Sequence, residues 1–178
     1  MEQVRYKQRN CSDPEKIQLF LTNARVGIVG ISTEKYPYSV PVNYVWHNGA
    51  VYFHGMGSGK KVELLSHSPL VCFTVFEEYG TVTDPVPCHA DTSYMSVMLF
   101  GRARPVADSE EGAEALQKIL DKYLPDFYKS KMSAALVEKY RSSHDNCPVA
   151  VFKILPDEMT AKENAAEPGS LFPHKHPH

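Results

Sequence analysis

The sequence predicts a mainly β domain of the α+β class, an antiparallel barrel of about six strands with peripheral helices. Two observations carry this. Short runs rich in Val, Ile, Tyr and Phe recur along the chain with turn residues between them. Helical periodicity is confined to the start of the chain, one short crossover and a pair late in the sequence, an order that suits antiparallel strands with helices outside them. At 178 residues and 43% hydrophobic content the chain can bury one core, so a single domain is expected over 1–162, followed by a polar His/Pro-containing tail over 163–178.

Ser12-Asp13-Pro14-Glu15 is a helix start, because Ser or Asp can cap and Pro is tolerated in the first turn. Ile17, Phe20, Leu21 and Ala24 then recur at helical spacing. Arg25 to Ile31 is a β-branched strand whose two glycines suggest a bend or a close backbone approach. The second strand begins at Tyr36 and alternates, with Val40, Val42, Tyr44 and Trp46 on one face and Ser39, Asn43 and His47 on the other. Pro37 and Pro41 lack amide donors, so neither suits a fully paired ladder. Asn43 can bond sheet-edge backbone or the polar ring edge of a ligand.

Asn48-Gly49 makes the hairpin to a third strand, Ala50 to His54. A helix is expected from about Ser58 to Ser66, then a buried strand over Leu70 to Phe76. Glu77 to Asp91 reads as a long irregular segment with two prolines, Pro85 and Pro87, and loops of that length are usually functional or cover something. A strand follows from Ser93 to Ala103, then a helix opened by Asp108 with Ala113, Leu116, Ile119, Leu120 and Tyr123 on its apolar face. Met132 to Tyr140 is its helical companion, and Pro148 to Leu155 the last strand. His174, His176 and His178 alternate with Lys and Pro in a tail with no packing periodicity.

A net charge of −2 gives no electrostatic case for nucleic acid or an anionic membrane. No apolar run approaches the ~20 residues of a membrane span, and the polar N-terminus has no secretory core. Cys11, Cys72, Cys88 and Cys147 form no C-x-x-C pair, which suits a reducing cytoplasm, with Cys72 expected in the core. No metal site is expected at Cys88-His89, whose adjacency suits zinc poorly.

The chemistry concentrates after the third strand. Gly55, Gly57 and Gly59 precede Lys60-Lys61 and a helix start. Glycines admit a ligand close to the backbone, and lysines supply charge to a phosphate. Val62 follows the second lysine, so the Walker A spacing fails, and the phosphate is one to be anchored rather than transferred.

The order of Pro37-Tyr38-x-Val40-Pro41-Val42-Asn43-Tyr44, Tyr52-Phe53-His54, Gly59-x-Lys61-x-x-x-Leu65, Ser68-Pro69-x-Val71-Cys72-Phe73 and Tyr94-x-Ser96-Val97-x-x-x-Gly101-x-Ala103 resembles the FMN-binding split-barrel family related to pyridoxamine 5′-phosphate oxidase. Within it the chain is most similar to the nitroimidazole-resistance (Nim) type, over about Asp13 to Lys162. The resemblance implies a homodimer with FMN at the interface and its phosphate at Gly59, Lys60 and Lys61, with either lysine as the main ligand. It lays the flavin ring along the backbone of Val42, Asn43 and Tyr44, beside Phe53 and His54. Thr92, Ser93, Tyr94 and Ser96 would come from the partner or line the interface.

His54 at a strand end reads either as a surface residue or, by the resemblance, as a catalytic group facing the flavin that contacts or protonates a substrate. Arg141 and His144 are the nearest approach to the Arg-x-His motif of the oxidase, but they lie on a predicted helix, so pyridoxamine phosphate oxidation is not expected. The expected activity is reduction of small aromatic electrophiles such as nitroimidazoles, with NAD(P)H as donor and the Glu77–Asp91 loop as lid. The alternative is a haem- or flavin-binding module without catalysis, and a deazaflavin would share the phosphate anchor. Tyr94, Met95, Val97, Leu99 and Phe100 are more apolar bulk than one small barrel should cover, which points to an obligate dimer.

Overall fold

A computed structural model describes residues 4–173. Six strands close an antiparallel barrel in the order β1-β2-β3-β6-β5-β4, where β1 is Val26–Ile31, β2 Tyr38–His47, β3 Ala50–Gly55, β4 Leu70–Val82, β5 Asp91–Pro105 and β6 Ala150–Asn164. Four helices lie outside: α1 Pro14–Asn23, α2 Lys60–Ser66, α3 Ser109–Tyr123 and α4 Ala134–Lys139.

Alternation fills the barrel. Along β5, Ser93, Met95, Val97, Leu99, Gly101 and Ala103 point inward, and every second residue points out. Inside, the Tyr44 ring stands edge-on to Phe73 at 5.1 Å and Phe53 stacks on Phe152 at 5.5 Å. A Cβ on Gly27 would fall 2.0 Å from the Phe73 ring, so the glycine in β1 makes the room that ring occupies. Asp13 caps α1 by accepting from the amides of Glu15 and Lys16. The helix buries Ile17, Phe20 and Leu21, and the Leu21 carbonyl accepts the Tyr44 hydroxyl at 2.8 Å.

Outside the barrel, α3 covers part of β2 and β3. Ala115, Leu116 and Ile119 pack with Val45, Tyr52 and Val151 in a second, smaller cluster. The helix begins at Asp108, whose side chain accepts from the Glu110 amide, and stops before Leu124-Pro125.

Along β2 the ladder partner changes. Residues Tyr38–Asn43 pair with β1, whereas only Tyr44–His47 pair with β3. Pro41 lies in the half without a β3 partner, where its missing N–H costs no ladder bond on that edge.

Several sequence expectations are corrected. Glu77–Val82 continue β4, and β5 begins at Asp91, so the irregular segment shrinks to 83–90 around a short 3₁₀ turn at Pro87–His89. Polar, half-exposed strand residues carry no hydrophobic alternation, which is why they read as loop. For the same reason β6 runs to Asn164, nine residues past Leu155. The companion helix contracts to α4, leaving Arg141 and His144 beyond its end. Cys72 faces outward, its thiol 3.6 Å from the Thr74 hydroxyl, and the buried cysteine is Cys11.

Met95, Val97 and Leu99 are covered by their own barrel, so they argue nothing about a partner. Beyond β6, Leu171 forms a bridge with Val82. The terminal histidines lie outside the described residues. No described helix is long and apolar enough to cross a membrane.

Candidate functional site

The loop after β3 is shaped by three glycines with different duties. Gly59 takes φ +97°, a conformation that L side chains rarely adopt, and turns the chain into α2. A Cβ on Gly57 would meet the Pro148 carbonyl oxygen at 2.2 Å, so the loop packs directly on the approach to β6. A Cβ on Gly55 would fall 2.5 Å from the Lys61 Nζ, so the Lys61 side chain lies back across the end of β3. Ser58 donates to Asp145, which ties the loop to the 142–148 segment; that bond, followed by the Cys147 amide, lowers the Asp145 pKa.

The two lysines diverge. Lys60 extends toward β2, with its Nζ 5.1 Å from the centre of the Tyr38 ring. Lys61 lies against Gly55 and is half-buried, and desolvation lowers its pKa. Among the described residues neither ammonium has a carboxylate within ion-pair distance. Two cations without counter-ions among the described residues thus flank the half of β2 that has no β3 partner, and one of them is partly removed from water. That arrangement suits an anionic group.

His54 leaves β3 on the outside of the barrel, beside Gly55 and Lys61. Its ring is open to solvent on one side. On the other it joins the wall of a cavity of about 580 Å³ beneath α3 and α4. Leu116, Ile119, Val137 and Val149 make the apolar wall. Desolvation, then the charge of Lys61, lower the His54 pKa below its ordinary 6.5, so the imidazole is neutral at pH 7.

The remaining expected ligands divide into two groups. Val42, Tyr44 and Phe53 are enclosed in the barrel, so their side chains face the core and only backbone could meet a ligand. Asn43 is exposed on the outer face. Tyr44 has its amide bonded to the Tyr123 hydroxyl at 3.0 Å, and the same hydroxyl donates to the Arg25 carbonyl. The end of α3 thereby docks beside the start of β1, just past the Val26–Asn43 pair. Lys122 seals the same corner, donating to the Ala24 carbonyl with its Nζ 4.2 Å from the centre of the Tyr44 ring. Burial first, and Arg25 next, pull its pKa down to about 8.

Neither Lys122 nor Tyr123 was legible as a contributor to this corner. In the sequence Tyr123 belongs only to an apolar helix face, because nothing local says where a helix end will dock.

Thr92, Ser93, Tyr94 and Ser96 are not brought to the lysines within one chain. Val42 pairs with Gly27, Gly27 with Val75, and Val75 with Val97, so two strands separate Ser96 from the Val42 neighbourhood. Ser93 is buried and donates to the Asn164 carbonyl, while Asn164 donates in turn to the Thr92 carbonyl. Tyr94 packs against Phe76 at 5.8 Å. The 83–90 turn sits at the far end of the β4–β5 hairpin, where Thr83 bonds the Ser170 carbonyl, and not over the lysines of its own chain.

The chain is similar to several solved structures. The flavocytochrome Anf3 from Azotobacter vinelandii aligns over 98% of this chain and 76% of its own, at 24% identity and TM-score 0.74. A candidate 5-nitroimidazole antibiotic resistance protein from Bacteroides thetaiotaomicron aligns over 86% and 85%, at 28% identity and TM-score 0.67. A FAD and haem binding protein from Mycobacterium smegmatis aligns over 89% and 74%, at 15% identity and TM-score 0.72. Among curated proteins no relative matches. A family model described as pyridoxamine 5′-phosphate oxidase matches residues 13–163, and with the six-stranded split barrel this places the chain in the pyridoxamine 5′-phosphate oxidase-like family of flavin-binding split barrels.

Proposed function

We propose that the chain is an FMN-dependent oxidoreductase that takes electrons from a reduced nicotinamide and passes them to small aromatic electrophiles, nitroimidazoles among them. The observation that carries it is the pair of lysines without counter-ions among the described residues, at the half of β2 that has no β3 partner, in a fold shared with flavin-binding proteins. Lys60, Lys61 and the backbone around Gly59 would hold the phosphate, and the exposed edge at Asn43 would meet the polar rim of the ring. Bound flavin supplies the electron chemistry, and the protein's part is to hold it and exclude water. His54, neutral and beside Lys61, is the group placed to contact an acceptor. No dinucleotide-binding domain is present among the described elements, so a nicotinamide would visit the flavin transiently.

A homodimer belongs to the same proposal. The outer face of β1, β4 and β5 exposes Val26, Ile28, Leu70, Phe76 and Met98, and Ile28 aligns with Thr74 and Met98 across three strands. Contiguous apolar sheet surface of this kind is what a partner covers. Covering it would bring a second chain's Thr92–Ser96 region within reach of the site. Sedimentation of a flavin-loaded monomer at micromolar concentration would refute the dimer.

Removing both lysines by Lys60→Ala and Lys61→Ala should forfeit charge-assisted bonds of roughly 1.5–3 kcal/mol each. Flavin affinity, followed by quenching of flavin fluorescence, should fall on the order of a hundredfold or more. Unchanged affinity would refute the phosphate site. Stopped-flow mixing with NADH or NADPH should bleach the bound flavin, and failure with both would refute the nicotinamide-linked activity.

A second reading, a haem- or flavin-binding module without catalysis, is favoured by the likeness to a flavocytochrome and to a FAD and haem binding protein. An absorption spectrum separates the two, since a Soret band appears only with haem.

A further inference from the structure

Lys122, near the end of α3, is held in surroundings that suit an amine better than an ammonium. Its Nζ donates to the Ala24 carbonyl at 2.7 Å. Otherwise it lies against aromatic faces, 4.2 Å from the centre of the buried Tyr44 ring and 5.7 Å from that of Tyr123. The Arg25 guanidinium stands 4.7 Å from the centre of the same Tyr123 ring, so two positive groups share one aromatic neighbour. The acidic group felt at Lys122 is Glu77 on β4. Among the described residues no carboxylate comes within ion-pair distance of Lys122 or of Arg25. Burial first, and Arg25 next, hold the Lys122 pKa at about 8. Near pH 8 about half of this side chain is therefore free amine, against less than about 1% of an ordinary lysine.

A neutral amine with its lone pair available is a nucleophile. The position selects the electrophile. Lys122 is half-buried between the Tyr44 ring and the Ala24 carbonyl, which favours a small, uncharged reactant over a bulky acyl donor. A neutral acyl product would leave Arg25 without a counter-charge, whereas an anionic product supplies one. Carbon dioxide is small and uncharged, and its adduct with an amine is an anion.

We propose that Lys122 is a carbon dioxide site, carboxylated at Nζ to a carbamate that pairs with Arg25. The Nζ lone pair forms a bond to the carbon of CO2, and one C–O π pair withdraws to oxygen. A proton leaves Nζ for solvent, and nothing is oxidised or reduced. The remaining N–H keeps the bond to the Ala24 carbonyl, while the new carboxylate meets the exposed Arg25 side chain. Repulsion between two cations becomes attraction. Because the Tyr123 hydroxyl already joins the Tyr44 amide and the Arg25 carbonyl, the carbamate fastens the end of α3 more firmly to β1 and β2. The proposal is independent of the flavin reading, since Lys122 takes no part in the phosphate site.

The test equilibrates the full-length protein with carbon-13-labelled bicarbonate at pH 8 and reads the carbamate carbon by NMR. One saturable signal from Lys122 is expected. The α-amino group of any chain titrates in the same range and gives a signal of its own. Lys122→Arg should keep that second signal and lose the first. Arg25→Gln should weaken CO2 binding at Lys122 by about fivefold or more. Circular dichroism on the same samples reports whether each variant is folded. A measurement on the wild type alone locates the adduct: the carbamate is trapped as its ethyl ester with a trialkyloxonium salt, and the peptides are mapped by mass spectrometry.

The ester should concentrate on the peptide that carries Lys122. No ester there at saturating bicarbonate overturns the proposal, and so does ester spread evenly over the exposed lysines. A folded Arg25→Gln variant that forms the Lys122 carbamate as readily as the wild type overturns the pairing with Arg25.

Discussion

Inside the barrel, Val29, Phe53, Phe73 and Val97 have no exposed surface, whereas around the α3–α4 cavity Leu136, Tyr128 and Tyr140 keep about half of theirs. The two regions use the same residue types. The interior is enclosed by six strands that pair in a closed ring, so each ring side chain finds a partner, as Tyr44 does with Phe73. The outer face is covered by one fifteen-residue helix and one six-residue helix, and two helices cannot enclose a sheet. Charge follows the same division. Among the described residues no buried side-chain N or O lacks a partner, while Lys60 and Lys61 stand without counter-ions outside. One region is finished by the chain alone, and the other is left for something to complete.

The largest effect expected of this contrast is on stability. Phe73→Ala empties a fully buried site against Gly27 and Tyr44, and should cost about 3–5 kcal/mol in urea unfolding. The same truncation at exposed Leu136 should cost far less. Equal losses at both would break the comparison.

Gly55→Ala sharpens it from the binding side. The new Cβ displaces the Lys61 ammonium, a flexible side-chain end, so stability should hardly change. Flavin affinity should fall by about tenfold or more, since one charge-assisted bond is worth roughly 1.5–3 kcal/mol. A loss of stability without a loss of affinity would make Gly55 structural instead.

Lys122 is the one strongly perturbed cation of the barrel's end, with its pKa at about 8 against an ordinary 10.5. Between those values the unfolded chain binds the extra proton, so stability should rise as pH climbs from about 8 to 10.5. Below pH 8 both states are protonated and the cost is present in full. Lys122→Met should lose this rise, measured as the difference in unfolding free energy between the two pH values. A wild-type profile parallel to that of the variant would contradict the shift.

The smallest effect belongs to Asp13→Ala, which removes the cap of α1 and should cost about 1 kcal/mol without changing flavin affinity.

What the sequence determined by itself was whatever depends on neighbours along the chain. Alternation of Val40, Val42, Tyr44 and Trp46 set the inward face of β2, Asn48-Gly49 set the hairpin, and Asp108 set the start of α3. The glycines and lysines after β3 announced an anion site for the same reason, because the backbone freedom and the charge lie within one short stretch. Polar strand ends were illegible: Glu77–Val82 and Pro156–Asn164 are held in the sheet by pairing partners distant in sequence, and no periodicity of their own marks them.

Only the tertiary structure decided the rest. Closure of β6 against both β3 and β5 buried Val97 and Leu99, leaving the outward residues to form the exposed face. Packing of Gly55 against Lys61 desolvated that lysine, and the docking of α3 and α4 turned His54 from a strand-end residue into part of a cavity wall. Those are contacts between segments separated by many residues. The free energies that select them arise from burial and desolvation, which no local pattern encodes.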